Sequence, residues 1–320
     1  MDPDNHSVLE HYPVTLFTIV MGMAGLALAL RAGEQTLGLT SLASGVVYLV
    51  TLAVFVVIAA GYTAKVIRFP NAVRSEWSHP VKLAFFPAIS IGLLLLATAT
   101  LPISRPVAHV MWLAGAAGQG ILTLAVISGW IGARAFLHGH LSPAWFIPAV
   151  GNVIVPIAGA ELGFVELSWF FLSVGLIFWI VLLTLVINRL VFHDPLPERL
   201  QPTLVILIAP PAVGFLAWVT LTGGIDPFAR ILLNSGYFFA LIVAVQLPRI
   251  LRLPFAMSFW ALSFPLAALT IASLHYAEAT GSDVHRLAGL ALLSILTVTL
   301  AGLLLRTLRA VTSGAVFQPE

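Results

Sequence analysis

The chain of 320 residues contains no cysteine, and only 9% of its residues are charged. The first absence excludes disulfides, thiolate metal sites and thiol nucleophiles. The second excludes a water-soluble globule, which ordinarily carries roughly a quarter of its residues as charges. No Asp, Glu, Lys or Arg falls near the middle of any long apolar run, and Glu161 and Glu166 stand only at the ends of two of them. Proton pumps and ion-coupled carriers usually need a carboxylate or histidine inside the membrane as a relay. Also missing are a glycine-rich phosphate loop, a serine elbow and a zinc-helix motif. His138 and His140 sit in a solvated loop with no acidic or thiol partner close in sequence, so no metal, cofactor or enzymatic activity is expected. The isoelectric point of about 9.2 goes with a net charge of only +2 and scattered basic residues, which does not suggest nucleic acid.

What is present is apolar: 60% of the residues are hydrophobic and mean hydropathy is +1.03. A hydrocarbon core about 30 Å thick takes roughly 20 residues of helix to cross. Ten runs qualify, starting near Pro13, Leu39, Val81, Val107, Pro143, Leu167, Thr203, Phe228, Phe255 and Val284. The connections are short, as at Phe69-Pro70-Asn71, His193-Asp194-Pro195, Gly223-Gly224 and Gly281-Ser282-Asp283. The expectation is an all-α integral membrane protein, a single membrane domain over 1–320, with spans from about 12 to 310. The N-terminal residues MDPDNHSVLE lack the basic start of a cleaved signal, so the first span is expected to stay.

Lys and Arg fix an orientation. With ten spans, Arg31, Arg105, Arg230 and Arg286 fall on one side and the remaining eleven of 15 on the side of both termini. The bias toward the cytoplasm then puts both termini there.

Prolines divide the spans by parity. Pro87, Pro148, Pro156, Pro210, Pro211 and Pro265 lie inside odd spans, and the even spans are expected to have none inside. An interior proline removes a backbone hydrogen bond and kinks a helix. In lipid such a break is tolerated where neighbours enclose it or where it lines a wet cavity. From the third onward, odd spans also open at Pro80, Pro143, Pro202 and Pro254. The pattern points to successive hairpins of one orientation, with odd helices inside and even helices outside. The polar groups within the spans are Thr15, Thr18, Ser90, Gln119, Asn152, Asn234, Ser263 and Thr270. Hydroxyl and amide donors can coordinate an anion without holding it too tightly to leave.

Three stretches, EWSHPVKLAFFPAISIGLLLLA, SPAWFIPAVGNVIVPIAGAELG and FWALSFPLAALTIASLHY, resemble the tellurite-resistance/dicarboxylate transporter family, which includes a bacterial tellurite-resistance membrane protein and the slow anion channel of plant guard cells. The resemblance runs from about Tyr12 to Arg309. It implies five helical hairpins around a central pore, a homotrimer in the bilayer of a bacterial inner membrane, and occlusion by a phenylalanine in span nine, here Phe264. Thr15, Thr18, Pro87, Ser90, Pro148, Asn152, Pro210, Pro211, Ser263 and Pro265 are the candidates for lining or kinking such a pore. The chain departs from the family where Thr18 and Val20 replace a frequent glycine and proline. The function implied is a channel for small anions such as chloride or nitrate. The alternative is a carrier of C4-dicarboxylates or oxyanions (malate, tellurite, sulfite), possibly proton-coupled. A membrane scaffold or sensor with a vestigial pore is a third reading.

Overall fold

A computed structural model describes residues 8–132 and 136–317. Arg134, counted on the terminal side, lies outside them. Among the described residues, ten helices are long and apolar enough to cross a membrane. They are Val14–Thr36, Leu42–Arg68, Lys82–Thr100, Arg105–Ile131, Pro143–Glu161, Val165–Phe192, Glu198–Thr222, Pro227–Ile250, Met257–Thr280 and Asp283–Thr312. We number them spans one to ten. The chain is a multi-pass, all-α membrane protein. No strand occurs among the described residues. The seventh span begins at Glu198, earlier than Thr203, because helical turns around Pro202 carry the chain in from the surface.

The parity read from the prolines reappears in burial. Between 72 and 89% of each odd span's apolar window is buried, against 17 to 33% for the even spans. Each odd span pairs with the even span that follows it. The odd spans also pack on one another in the order one, three, five, seven, nine, and nine closes back on one. Five parallel inner helices therefore form a ring, with five antiparallel ones outside. The outer helices carry exposed Leu, Val, Ile and Phe, which suit lipid tails as solvent. Spans seven and nine end at Gly223 and Gly281 in the left-handed conformation, where a side chain would be strained. Asp226 caps span eight; the Ala229 backbone N–H it accepts at 2.8 Å holds its carboxyl below the usual carboxylate range.

The inner spans are not simple kinked α-helices. Each opens as a 3₁₀ segment, at Val14–Leu16, Lys82–Phe85, Pro143–Trp145, Glu198–Ile208 and Met257–Leu262, before turning α-helical. The prolines cluster at this change of geometry. Pro87 immediately precedes the α-helix Ala88–Thr100, Pro148 lies in the first turn of Phe146–Glu161, Pro210 and Pro211 start Ala209–Thr222, and Pro265 lies in the first turn of Ser263–Thr280. A proline lacks the N–H that the next helical type would have to re-pair, so it marks a junction at little cost. Pro156 alone of the six sits deep inside an α-helix. One expectation is corrected. Pro248 lies inside span eight, two residues from its end, where few backbone bonds remain to be lost.

Two features of the terminal face were not foreseen. A short helix, Pro70–Ser78, follows span two where a loop was expected. It carries Glu76 to Lys65, 3.0 Å away, and both side chains are almost fully enclosed. Glu76 also accepts the Tyr62 hydroxyl at 2.9 Å and the Val14 backbone N–H at 3.2 Å. Lys65 donates to the Tyr12 carbonyl at 2.9 Å. The pair thus fastens the backbone on both sides of Pro13, where span one begins. Lys65 and Arg189, both counted as surface charges, are buried; Arg189 donates to the Asp194 carbonyl. On the opposite face Glu34 accepts the N–H groups of Ala43 and Ser44 and caps span two.

Candidate functional site

Three cavities share walls in sequence. The first, about 780 Å³, opens at the terminal face, and its lining includes Thr15 and Met257 with Lys65, Lys82 and Arg199 set against Glu10, Glu76 and Glu198. Met257 also lines the second, which is only about 40 Å³. The rest of its wall comes from every inner span: Thr18 and Met21, Phe85, Ile147 and Val150, Ile206 and Ala209, then Ser258, Trp260, Ala261, Phe264 and Pro265. Phe264 is shared with the third cavity, about 470 Å³, which widens toward the opposite face past Gly25, Leu95, Ile154, Val213 and Ala268 to Arg31 and Arg105.

Phe264 therefore stands between the narrowest cavity and the wide one. It is 7% exposed, on the second residue of an α-helix whose first turn also holds Pro265. Span one gives the ring room through its glycines. A side chain at Gly25 would meet Ala267 Cβ at 2.9 Å and Phe264 Cδ2 at 3.5 Å, and one at Gly22 would meet Ser263 Oγ at 2.3 Å. The narrow cavity can hold about one water, whose share of liquid is roughly 30 Å³. No ionisable side chain lines it.

The candidates read from the sequence separate into two groups. Thr15, Thr18, Phe264 and Pro265 line the cavities just described. Thr18 donates its hydroxyl to the Thr15 carbonyl at 2.6 Å, one turn back. Val20 points at Gly92 of span three rather than inward. Pro87, Ser90, Pro148, Asn152, Pro210, Pro211 and Ser263 are buried between helices. Ser263 donates to the Trp260 carbonyl at 2.5 Å and fills the space over Gly22. Asn234 faces outward on span eight and bonds the Arg230 carbonyl of its own helix. Thr270 is likewise turned onto its own helix, at the Leu266 carbonyl.

Ser90 and Asn152 belong to a buried network that ties the proline-bearing starts of spans three and five to span four. Ser90 Oγ lies 2.7 Å from Gln119 Oε1 and 2.9 Å from the Pro87 carbonyl, two acceptors that share its one proton. The Pro148 carbonyl accepts Gln119 Nε2 at 2.9 Å and Asn152 Nδ2 at 2.7 Å, and both amides reach Thr123 Oγ1 at 3.0 Å. Gln119 and Thr123 come from span four, an outer helix. The order of prolines gave no hint that an outer span supplies these donors; the signal was Gln119 itself, a fully enclosed amide in an apolar run. Gln119→Leu leaves a carbonyl and two side chains short of partners inside lipid-facing packing. We expect a loss of about 1–3 kcal/mol, read as an earlier thermal transition in detergent; a transition unchanged from wild type would mean that the network is dispensable.

Against known proteins, residues 11–308 match the family described as voltage-dependent anion channel. The S-type anion channel SLAH3 of Arabidopsis thaliana is 29% identical over 94% of this chain and 48% of its own length. The guard cell S-type anion channel SLAC1 of the same plant is 27% identical over 94% of this chain and 56% of its own. The tellurite resistance protein TehA homolog of Haemophilus influenzae is 28% identical over 80% of this chain and 79% of its own. The chain thus spans about half the length of the plant relatives. It belongs to the voltage-dependent anion channel family.

Proposed function

We propose, with that membership as premise, that the chain is a passive channel for small anions such as chloride and nitrate, whose path is the ring of odd spans and whose plug is Phe264. The observation that carries the reading is the series of three cavities with this one ring as the shared wall of the last two. A constriction this narrow, apolar but for the hydroxyls of Thr18 and Ser258, offers little in exchange for an ion's hydration shell, so it keeps the path closed. Turning the ring out of line would join the cavities. The sign of the ion follows from the helices: all five inner spans begin at the terminal face, so the positive ends of their dipoles point that way, and spans one, three, seven and nine line the 780 Å³ cavity. Full charges stand only at the mouths, where they can attract an anion without trapping it. The reading places both termini in the cytoplasm and the protein in a bacterial inner membrane. It takes the assembly as a homotrimer in which outer helices meet lipid or neighbouring copies.

A channel and a carrier differ in how flux depends on concentration. In liposomes we expect chloride and nitrate uptake that rises linearly over the lower millimolar range and ignores a pH gradient. Saturable malate or tellurite uptake driven by a pH gradient would replace the channel with the carrier.

A further inference from the structure

The wide cavity holds a charge that nothing else in the fold uses. Arg31 is half-buried in its wall and forms no hydrogen bond or ion pair among the described residues. Two other cations that line these cavities have partners. Lys65 pairs with Glu76, and Arg105, in the same cavity, donates to the Glu161 carbonyl at 2.6 Å, closing the end of span five. A part-exposed guanidinium keeps its head in the water of the cavity, where its charge stays available to an anion.

Its position on span one is specific. Thr15, Thr18, Met21, Gly25, Leu28, Arg31 and Gln35 follow one another at three- and four-residue steps, so they form one stripe along the helix. That stripe supplies wall to all three cavities. Arg31 lies six residues past Gly25, which flanks the Phe264 ring, and hence about 9 Å further along the axis. The remaining charged or titratable groups of the cavity are Glu161, Glu278 and His275, all on its exposed rim. The two carboxylates offset the two arginines overall, which keeps a bound anion from staying.

We propose that Arg31 is an anion-docking residue: a small monovalent anion rests on its guanidinium in the wide cavity immediately before or after it passes Phe264. The inference rests on the channel reading, and its test separates the two. In the Phe264→Ala background, Arg31→Gln should raise the half-saturating chloride concentration about fivefold, the effect of one unit charge a few ångströms away in a wet site. Arg31→Lys, which keeps the charge, should change it little. Binding is read independently of flux as broadening of the chloride-35 NMR line by purified protein in detergent, which Arg31→Gln should reduce to near the level of detergent alone. Equal broadening and equal half-saturation in Arg31→Gln and the parent would overturn the assignment. If Phe264→Ala passes no anion, the channel reading fails and the docking site stands or falls on the line broadening.

Discussion

Phe264→Ala is expected to raise chloride flux through reconstituted protein by about tenfold or more. In the channel we propose, the closed path combines a ring with a narrow, mostly apolar throat, and every 1.4 kcal/mol removed from that barrier is worth about a factor of ten in rate. Alanine takes away the wall shared by the 40 Å³ and 470 Å³ cavities and makes them continuous. Phe264→Leu should fall between, since its side chain is shorter and narrower than the ring. Phe215 in span seven supplies the control. It is completely enclosed, so Phe215→Ala should cost about 3–5 kcal/mol in stability and open nothing. Flux in Phe264→Ala equal to wild type, with the protein folded, would remove the plug from the account.

The second large effect is on stability. Lys65→Met should destabilise the protein by about 3–5 kcal/mol, because it strands the Glu76 carboxylate in the interior. The ion pair is not a surface decoration: the two side chains are 2% and 8% exposed, and they hold the backbone at Tyr12 and Val14. That backbone leads directly to Thr15 and Thr18 in the cavity walls. Glu76→Gln strands the Lys65 ammonium in the same way and should cost a similar amount, although the amide oxygen can still accept from Val14. Thermal unfolding in detergent, followed by tryptophan fluorescence, reads both. A Lys65→Met protein that melts with wild type would mean that the start of span one is held by packing alone.

Much of this architecture is written locally. Hydropathy over some twenty residues marks each span, and the prolines mark which spans are inside, because a broken backbone in lipid needs enclosure. What could not be read depends on meetings in space. Whether Pro87 or Pro211 bends an α-helix or ends a 3₁₀ segment is decided by the neighbouring helices, not by the proline. The helix Pro70–Ser78 is short and polar and looks like a loop until Glu76 is seen to face Lys65. Charge counting put Lys65 in solvent for the same reason. Within the candidate site, polarity alone could not distinguish Thr18, which lines a cavity, from Asn152, which bonds a buried backbone carbonyl and Thr123 between helices. Gln119 escaped the parity argument because it reaches inward from an outer helix. Phe264 was named from resemblance; nothing in its composition or spacing sets it apart from the other 19 phenylalanines.

The most direct test of the account is the reversal potential of Phe264→Ala in a planar bilayer with a potassium chloride gradient. The account predicts a steady current that reverses close to the chloride equilibrium potential, without dependence on a pH gradient. A current reversing at the potassium potential, or none at any voltage from folded protein, would contradict it.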